Sequence, residues 1–322
     1  MALLSEYTTL RLGGPAGRLV EATTDDALIA AARDEDAFVL GGGSNVVVGD
    51  DGVPGTVALV RTRGIDLEGD VVHVAAGEDW DGLVAFAVAE GRSGIECLSG
   101  IPGSVGATPI QNVGAYGQEV SDTIISVRAW DRARDAVVDL TPERCAFAYR
   151  DSMFKRSPGA FVVLRVSFRL PADGTPRPIR YGELADTVGP SPSLRDVRDA
   201  VLALRRDKGM VLDAADHDTW SAGSFFTNPF VEPGALPDGA PRWPQPDGRV
   251  KTSAAWLIQH AGFARGFGNP DGIAISTKHV LALTNRGHGT TRELVALARE
   301  VQDAVQRAFG IRLEPEPVFV RT

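Results

Sequence analysis

The chain has 322 residues, 43% of them hydrophobic and 23% charged, with 33 Lys and Arg against 42 Asp and Glu and a net charge of −9 at pH 7. Such a composition fits a globular protein of two or three domains with their own cores. The acidic balance excludes a general nucleic-acid binder, which needs a basic face to neutralise phosphates. No apolar run approaches the roughly 20 residues of a membrane-spanning helix. The opening MALLSEYTTLRLGGPAG lacks a basic segment followed by an apolar one, so a cytoplasmic location is expected. Cys97 and Cys145, without C-x-x-C spacing, read as free thiols. The five histidines are scattered without metal-ligand spacing, so no metal is expected, and His73 reads as an ordinary strand residue.

In chain order, RLVEA (18–22) and AFVLGGG (37–43) read as strands flanking a helix over 24–35, with Thr23 or Thr24 as its cap. VVHVAAG (71–77) is a strand. It leads to a helix over 79–91 whose Trp80, Leu83, Val84 and Ala87 keep helical spacing, closed by Gly91. TIISVRAWD (123–131) and AFVVLRVSFRL (160–170) are long strands. The helix over 193–209 opens with Ser193 and Asp196 as a capping box, and Val197, Val201 and Leu204 form its stripe. Beyond it the composition shifts toward Gly, Pro and Trp, so the main boundary is placed near residue 206. Then come the helix 253–262, strands 272–276 and 280–285, a capped helix over 290–310 and a last strand over 311–320. The fold class is α+β.

Two glycine-rich stretches carry the first functional signal. VLGGGSNVVVGDDG (39–52) runs from a strand into Gly41, Gly42, Gly43, Ser44 and Asn45. Glycines let backbone N–H groups approach an anion closely. A strand-like NVVVGD follows instead of a helix, so the dinucleotide fingerprint fails and a tight turn between strands is the alternative. The second stretch, GIECLSGIPGSVGATPIQNVGAYGQE (94–119), has no charged residue from Cys97 to Gln118. Gly100, Gly103, Gly106, Gly114 and Gly117 punctuate it, and Ser104, Thr108, Gln111 and Asn112 add neutral hydrogen-bonding groups. A solvated loop is seldom so apolar; a loop that contacts a buried ligand through its backbone can be. Together the two suggest a phosphorylated, flat organic cofactor.

GGGSN followed by SGIPGSVGATPIQNVGAYGQE resembles the flavin-binding domain of the UDP-N-acetylenolpyruvoylglucosamine reductase (MurB) family. YRDSMFK (149–155), SAGSFFTNP (221–229), AAWLIQHAGF (254–263) and LEPEP (313–317) follow in that family's order, and the similarity runs nearly end to end. RYGEL (180–184) is similar to the version with a substrate-covering tyrosine, here Tyr181. Thr8 stands where many members have asparagine, and Thr227 where some have lysine.

The resemblance implies a two-part FAD-binding domain of vanillyl-alcohol-oxidase type over 1–205, with subdomains of about 1–65 and 66–205. A substrate-binding domain over 206–322 would follow, its last strand able to return to the FAD domain. It implies non-covalent FAD and NADPH as co-substrate. It also implies reduction of the enolpyruvyl ether of UDP-N-acetylglucosamine enolpyruvate to UDP-N-acetylmuramate, for peptidoglycan synthesis and hence cell-wall biogenesis, cell shape and division. A monomer is expected. Gly41, Gly42, Gly43, Ser44, Asn45, Gly100, Gly103, Ser104, Gly106, Thr108, Gln111, Asn112 and Gly114 are then assigned to FAD, together with Ile101, Pro102, Ala107, Ala115 and Tyr116.

The reaction yields an enolate that needs positive charge or donors and then one proton. Arg150 supplies a fork of donors for a carboxylate, its plain alternative being an ion pair with Asp151 at a strand end. Glu316, between two prolines, is a donor to the enolate if burial keeps it protonated. Ser224 is open to three readings on its own: helix cap, core hydroxyl or proton donor. The resemblance favours the donor, shielded by Phe225 and Phe226. A nucleophilic role would need a partner such as His217 and a different elbow motif. Tyr149, Tyr181, Lys208, Asn228 and Gln259 are assigned to the substrate, with dipole complementation the alternative for Lys208 and an exposed helix position that for Gln259. The rival readings are a flavin-dependent oxidase of similar fold and a catalytically silent flavin or nucleotide-sugar sensor.

Overall fold

The computed structural model describes residues 2–34 and 36–322. They form an α+β fold of two compact units, residues 16–43 with 54–207, and residues 1–15 with 44–53 and 208–322. Pairing rather than chain order decides which segments belong together. Val318–Val320 runs parallel to Val46–Val48, and the Val318 N–H donates to the Asn45 carbonyl at 2.9 Å. The Gly14 N–H in turn donates to the Gly49 carbonyl at 2.9 Å.

In the 16–43/54–207 unit, the helix Asp25–Ala32 starts where Thr24 Oγ1 accepts from the Ala27 N–H at 3.2 Å. Its acidic first turn, Asp25 and Asp26, complements the helix dipole. Glu35, the end of the expected helix, lies outside the described residues. A three-stranded sheet has Val53–Val60 between Ala16–Ala22 and Phe38–Leu40. A five-stranded antiparallel sheet is ordered Ala136–Leu140, Ile124–Asp131, Phe161–Arg169, Val71–Ala75, Ile65–Glu68. Its central strand, Phe161–Arg169, is buried along most of its length.

The helix Trp80–Ala89 buries Trp80, Leu83, Val84 and Ala87, the stripe its spacing predicts. Asp79 caps it, and Gly91 closes it at φ +66°, a conformation that costs glycine little. Trp80 lies with its ring 6.0 Å from that of Phe168. The same residue fixes the second glycine-rich loop, since its backbone N–H donates to Gly103 (3.0 Å) and its indole N–H to Leu98 (3.1 Å). The helix Leu194–Asp207 places Val197 and Val201 in a small cluster with Cys97 and Leu184.

The other unit has its own core, built around Phe225, Phe226, Leu257, Ile258, Leu294 and Val301. Its long helix Thr291–Phe309 is capped twice. Thr290 and Glu293 form a capping box, and Asp50 accepts from the N–H groups of Thr291 (2.7 Å) and Arg292 (3.0 Å). Gly310 ends it at φ +69°. Thr290→Ala is expected to cost about 1 kcal/mol in urea unfolding, the usual loss of one N-cap acceptor, because Asp50 retains two of the first-turn donors.

Candidate functional site

The two glycine-rich stretches meet. A Cβ at Gly41 would lie 2.4 Å from Ser104 Oγ, and one at Gly42 would lie 2.5 Å from the Gly103 Cα. A Cβ at Gly106 would lie 2.5 Å from that of Ala76. The second loop is pinned to the sheet edge by Val105 N–H to Glu78 O (2.9 Å) and Gly106 N–H to Ala76 O (2.8 Å). Its turns use the left-handed region at Gly100 (φ +71°), Asn112 (+47°) and Tyr116 (+49°). What these loops offer is close-packed backbone and neutral side chains, chemistry that fits the pyrophosphate and flat ring of FAD.

Side chains that sequence reading did not single out hold the loop in shape. Asp81 Oδ1 accepts from the Gly100 N–H at 2.6 Å while Arg198 meets both Asp81 oxygens at 2.6 and 2.9 Å. Burial pushes the Asp81 pKa up, but Arg198 and the Gly100 N–H outweigh it and hold the carboxyl below its usual range. The only signal in the chain is helical position, since Asp81 opens one helix and Arg198 sits in another. Burial pushes the Arg205 guanidinium down to about 10, opposed by Tyr116 and Asp81, so it stays charged at neutral pH.

Among the residues assigned to FAD, Asn112 is buried and its amide is occupied within the chain. It donates to Glu119 (2.8 Å) and Ala148 O (3.1 Å) and accepts from Ser121 N–H (3.1 Å). Thr108 likewise donates to Val105 O at 2.8 Å. Both therefore shape the loop. Ser44 and Asn45 continue the first loop into the 1–15/44–53/208–322 unit.

Arg150 is in a turn, not at a strand end. Ala148 and Asp151 exchange backbone hydrogen bonds at 3.0 and 3.1 Å, and Arg150 takes φ +52°, a place where glycine is favoured. Asp151 pairs with Arg156. The Arg150 guanidinium instead donates to Gly114 O at 2.6 Å and lies 5.2 Å from the Tyr149 ring centre. Lys155 Nζ donates to the Arg150 carbonyl at 2.9 Å and Ser152 Oγ to Ile110 O at 2.5 Å, so the turn is fastened to the second loop. Tyr181 is exposed and meets the Tyr116 ring edge-on at 5.3 Å.

In the other unit, the segments that carry Ser224 and Glu316 pair through their backbones. Glu316 N–H donates to Phe225 O at 2.9 Å, Phe226 bridges Pro315, and Thr227 N–H donates to Glu314 O at 3.0 Å. Ser224 is half-buried after Gly223 (φ +73°), with Phe225 and Phe226 fully buried beside it. Asn45 Nδ2 donates to Glu316 O at 3.4 Å. The His217 ring packs at a tilt against Trp220, their centres 4.3 Å apart. Asn228 Oδ1 accepts from the Ala254 N–H at 3.0 Å and so helps cap the helix Ala254–His260, on which Gln259 is exposed. Lys208 and Arg265 lie near His279, whose pKa burial, reinforced by these two cations, pushes down to about 4.

Comparison with known proteins places both halves of the chain. The FAD binding domain family matches residues 19–141, and the UDP-N-acetylenolpyruvoylglucosamine reductase C-terminal domain family matches residues 214–320. The UDP-N-acetylenolpyruvoylglucosamine reductase of Salinispora arenicola is 53% identical over 98% of this chain and 94% of its own length. That of Streptomyces avermitilis is 52% identical over 99% and 94%. The crystal structure of the Thermus caldophilus UDP-N-acetylenolpyruvylglucosamine reductase (MurB) aligns with TM-score 0.71 at 28% identity, over 99% of this chain and 97% of that one.

Gly42→Ala puts a carbon where backbone already stands, so it is expected to lower flavin retention at least about tenfold, read by flavin fluorescence on dilution, with the circular dichroism of the wild type. A second expectation concerns pH. His279 takes up its proton at about 4 when folded but near its ordinary 6.5 when unfolded. Its neutral form therefore stabilises the fold above pH 6.5, and that contribution is lost as pH falls toward about 4. His279→Gln should flatten this part of the stability–pH curve measured by chemical denaturation.

Proposed function

The chain belongs to the UDP-N-acetylenolpyruvoylglucosamine reductase family, and from that membership we propose how its residues share the reaction. The enzyme is an FAD-dependent oxidoreductase that reduces UDP-N-acetylglucosamine enolpyruvate in peptidoglycan precursor synthesis, with NADPH as co-substrate. Its fold combines the FAD-binding domain of vanillyl-alcohol-oxidase type with the family's C-terminal domain. The FAD-binding domain draws on residues 1–205 and the substrate domain on 206–322, with residues 1–15 and 44–53 packed into the unit of 208–322. The protein acts as a cytoplasmic monomer; among the described residues no helix is long and apolar enough to cross a membrane.

Gly41 to Asn45 and the loop from Gly100 to Tyr116 hold FAD through backbone donors. The bond is non-covalent: Cys97, the one thiol beside the loop, is buried and its pKa is pushed up to about 12, which keeps it unreactive. When bound between these loops, FAD would supply the hydride chemistry, with NADPH as its source and the terminal carbon of the enolpyruvyl group as its destination. Arg150 then stabilises the charge that collects on the substrate carboxylate as the enolate forms. Its strained turn supports this role, because a left-handed arginine fixed by Lys155 and Gly114 is held ready for an anion.

Ser224 delivers the proton to the carbon beside the carboxylate, and Glu316 supports the enolate oxygens as a hydrogen-bond donor. The observation that supports this reading is the backbone pairing of 225–227 with 314–316, which joins the segments that carry Ser224 and Glu316 next to the buried Phe225 and Phe226. Tyr149, Tyr181, Lys208, Asn228 and Gln259 serve the nucleotide sugar, Lys208 through its charge and Tyr181 by covering it.

Ser224→Ala should keep FAD and its reduction by NADPH, since that half-reaction needs no proton on carbon. Turnover of the enolpyruvyl substrate should fall beyond the ~10²–10⁴-fold typical of general acid–base catalysis, with Ser224→Cys retaining more. Wild type in D₂O should place deuterium on the carbon beside the carboxylate. Near-normal turnover of Ser224→Ala in stopped-flow would remove the proton-donor role.

A further inference from the structure

Glu96 is only 1% exposed, yet none of the groups given a chemical role above touches its carboxylate. Three donors surround it. Oε2 accepts from the Gly94 N–H at 2.6 Å, and Oε1 accepts from the Gln118 amide at 3.0 Å and the Arg177 backbone N–H at 2.8 Å. Gln118, itself buried, closes the circle by accepting from the Cys97 N–H at 2.9 Å. A charge so deep is tolerable only with such a shell of donors.

What the shell joins is informative. Gly94 to Cys97 begin the glycine-rich loop and Gln118 ends it. Arg177 lies four residues before Tyr181, in a segment that meets the loop again at its far end. There a Cβ on Gly117 (φ +83°) would lie 3.2 Å from Arg180 Cβ, and Tyr116 meets Tyr181 edge-on. One carboxylate thus ties three backbone segments that the chain order keeps apart.

We propose that Glu96 is a positioning residue that, through Gln118, buckles the two ends of the FAD loop together and, through the Arg177 N–H, fixes the segment presenting Tyr181. The inference rests on the assignment of the loop to FAD and of Tyr181 to the substrate. Coupling through backbone donors makes a specific demand: loss of the Arg177 N–H alone must be felt at Tyr181 and not at the loop.

The test compares Arg177→Pro with Arg177→Ala in the holoenzyme. Pro178 already restricts residue 177 to extended backbone, so proline there fits the local chain; it removes the N–H and puts its Cδ where that hydrogen pointed, so Glu96 Oε1 loses this partner and must draw back from it. Arg177→Pro is expected to raise KM for the enolpyruvyl substrate about tenfold, the size of one hydrogen bond to a charged group, with kcat and FAD affinity near wild type; Arg177→Ala should match wild type. Glu96→Gln presents an amide to donors on both sides. It should raise the same KM and also increase the FAD dissociation constant about tenfold or more, read by released flavin fluorescence. If Glu96→Gln does not fold, Gln118→Met, which leaves Glu96 in place, should still show the FAD loss. Arg177→Pro indistinguishable from Arg177→Ala would overturn the inference. So would Glu96→Gln that melts earlier while FAD affinity and KM stay unchanged. Wild type purified without FAD, or Tyr181→Ala with unchanged KM, would instead overturn the assignments beneath the inference, and the inference with them.

Discussion

Two backbones approach so closely at Gly42 and Gly103–Ser104 that Gly42 has no room for a Cβ, while Gly41 lies against the Ser104 hydroxyl, and much of the surrounding unit is arranged to hold that contact. Trp80 fixes one loop by its own N–H and by its indole, Asp81 takes the Gly100 N–H, and Arg198 fixes Asp81. Because side chains are excluded, what remains facing a ligand is peptide dipole, which binds phosphate and flat rings without a charged residue. The same loop then supplies Gly114 O as the anchor for Arg150. On the proposed assignment, the cofactor cradle and the placement of Arg150 both draw on this one loop.

The second half works by a different device. Pairing of 225–227 with 314–316 joins a glycine turn to a proline-flanked acid, so that backbone hydrogen bonds fix the segments that carry Ser224 and Glu316. A weak acid such as serine is useful only where water cannot compete, and the buried Phe225 and Phe226 meet that condition. Thr227 joins the pairing through its N–H to Glu314 O, and its hydroxyl donates to the same carbonyl at 3.4 Å.

Local signals were legible in the chain: the cap at Thr24, the capped start of the helix over 290–310, the Trp80–Ala87 stripe, and the glycine loops all depend on residues a few positions apart. Non-local pairing was not. Nothing in the first fifteen residues or in 44–53 announces that they pack with residues 208–322, because a parallel pairing such as Val46–Val48 with Val318–Val320 has no turn signature. Arg150 read as a strand-end residue because left-handed backbone is expected of glycine, not arginine. Asn228 read only as a ligand contact, although its oxygen caps a helix 26 residues on. Glu96 read as nothing at all, since a lone acid before a loop looks solvated until its three donors are in place.

The central claim is that the two loops hold a flavin which the enolpyruvyl sugar nucleotide reoxidises. Its most direct test is the absorbance spectrum of the purified protein under anaerobic conditions. The account predicts an oxidised flavin spectrum that is bleached by NADPH and returns in full when UDP-N-acetylglucosamine enolpyruvate is added. A protein without flavin, or a reduced flavin that only oxygen restores, would contradict it.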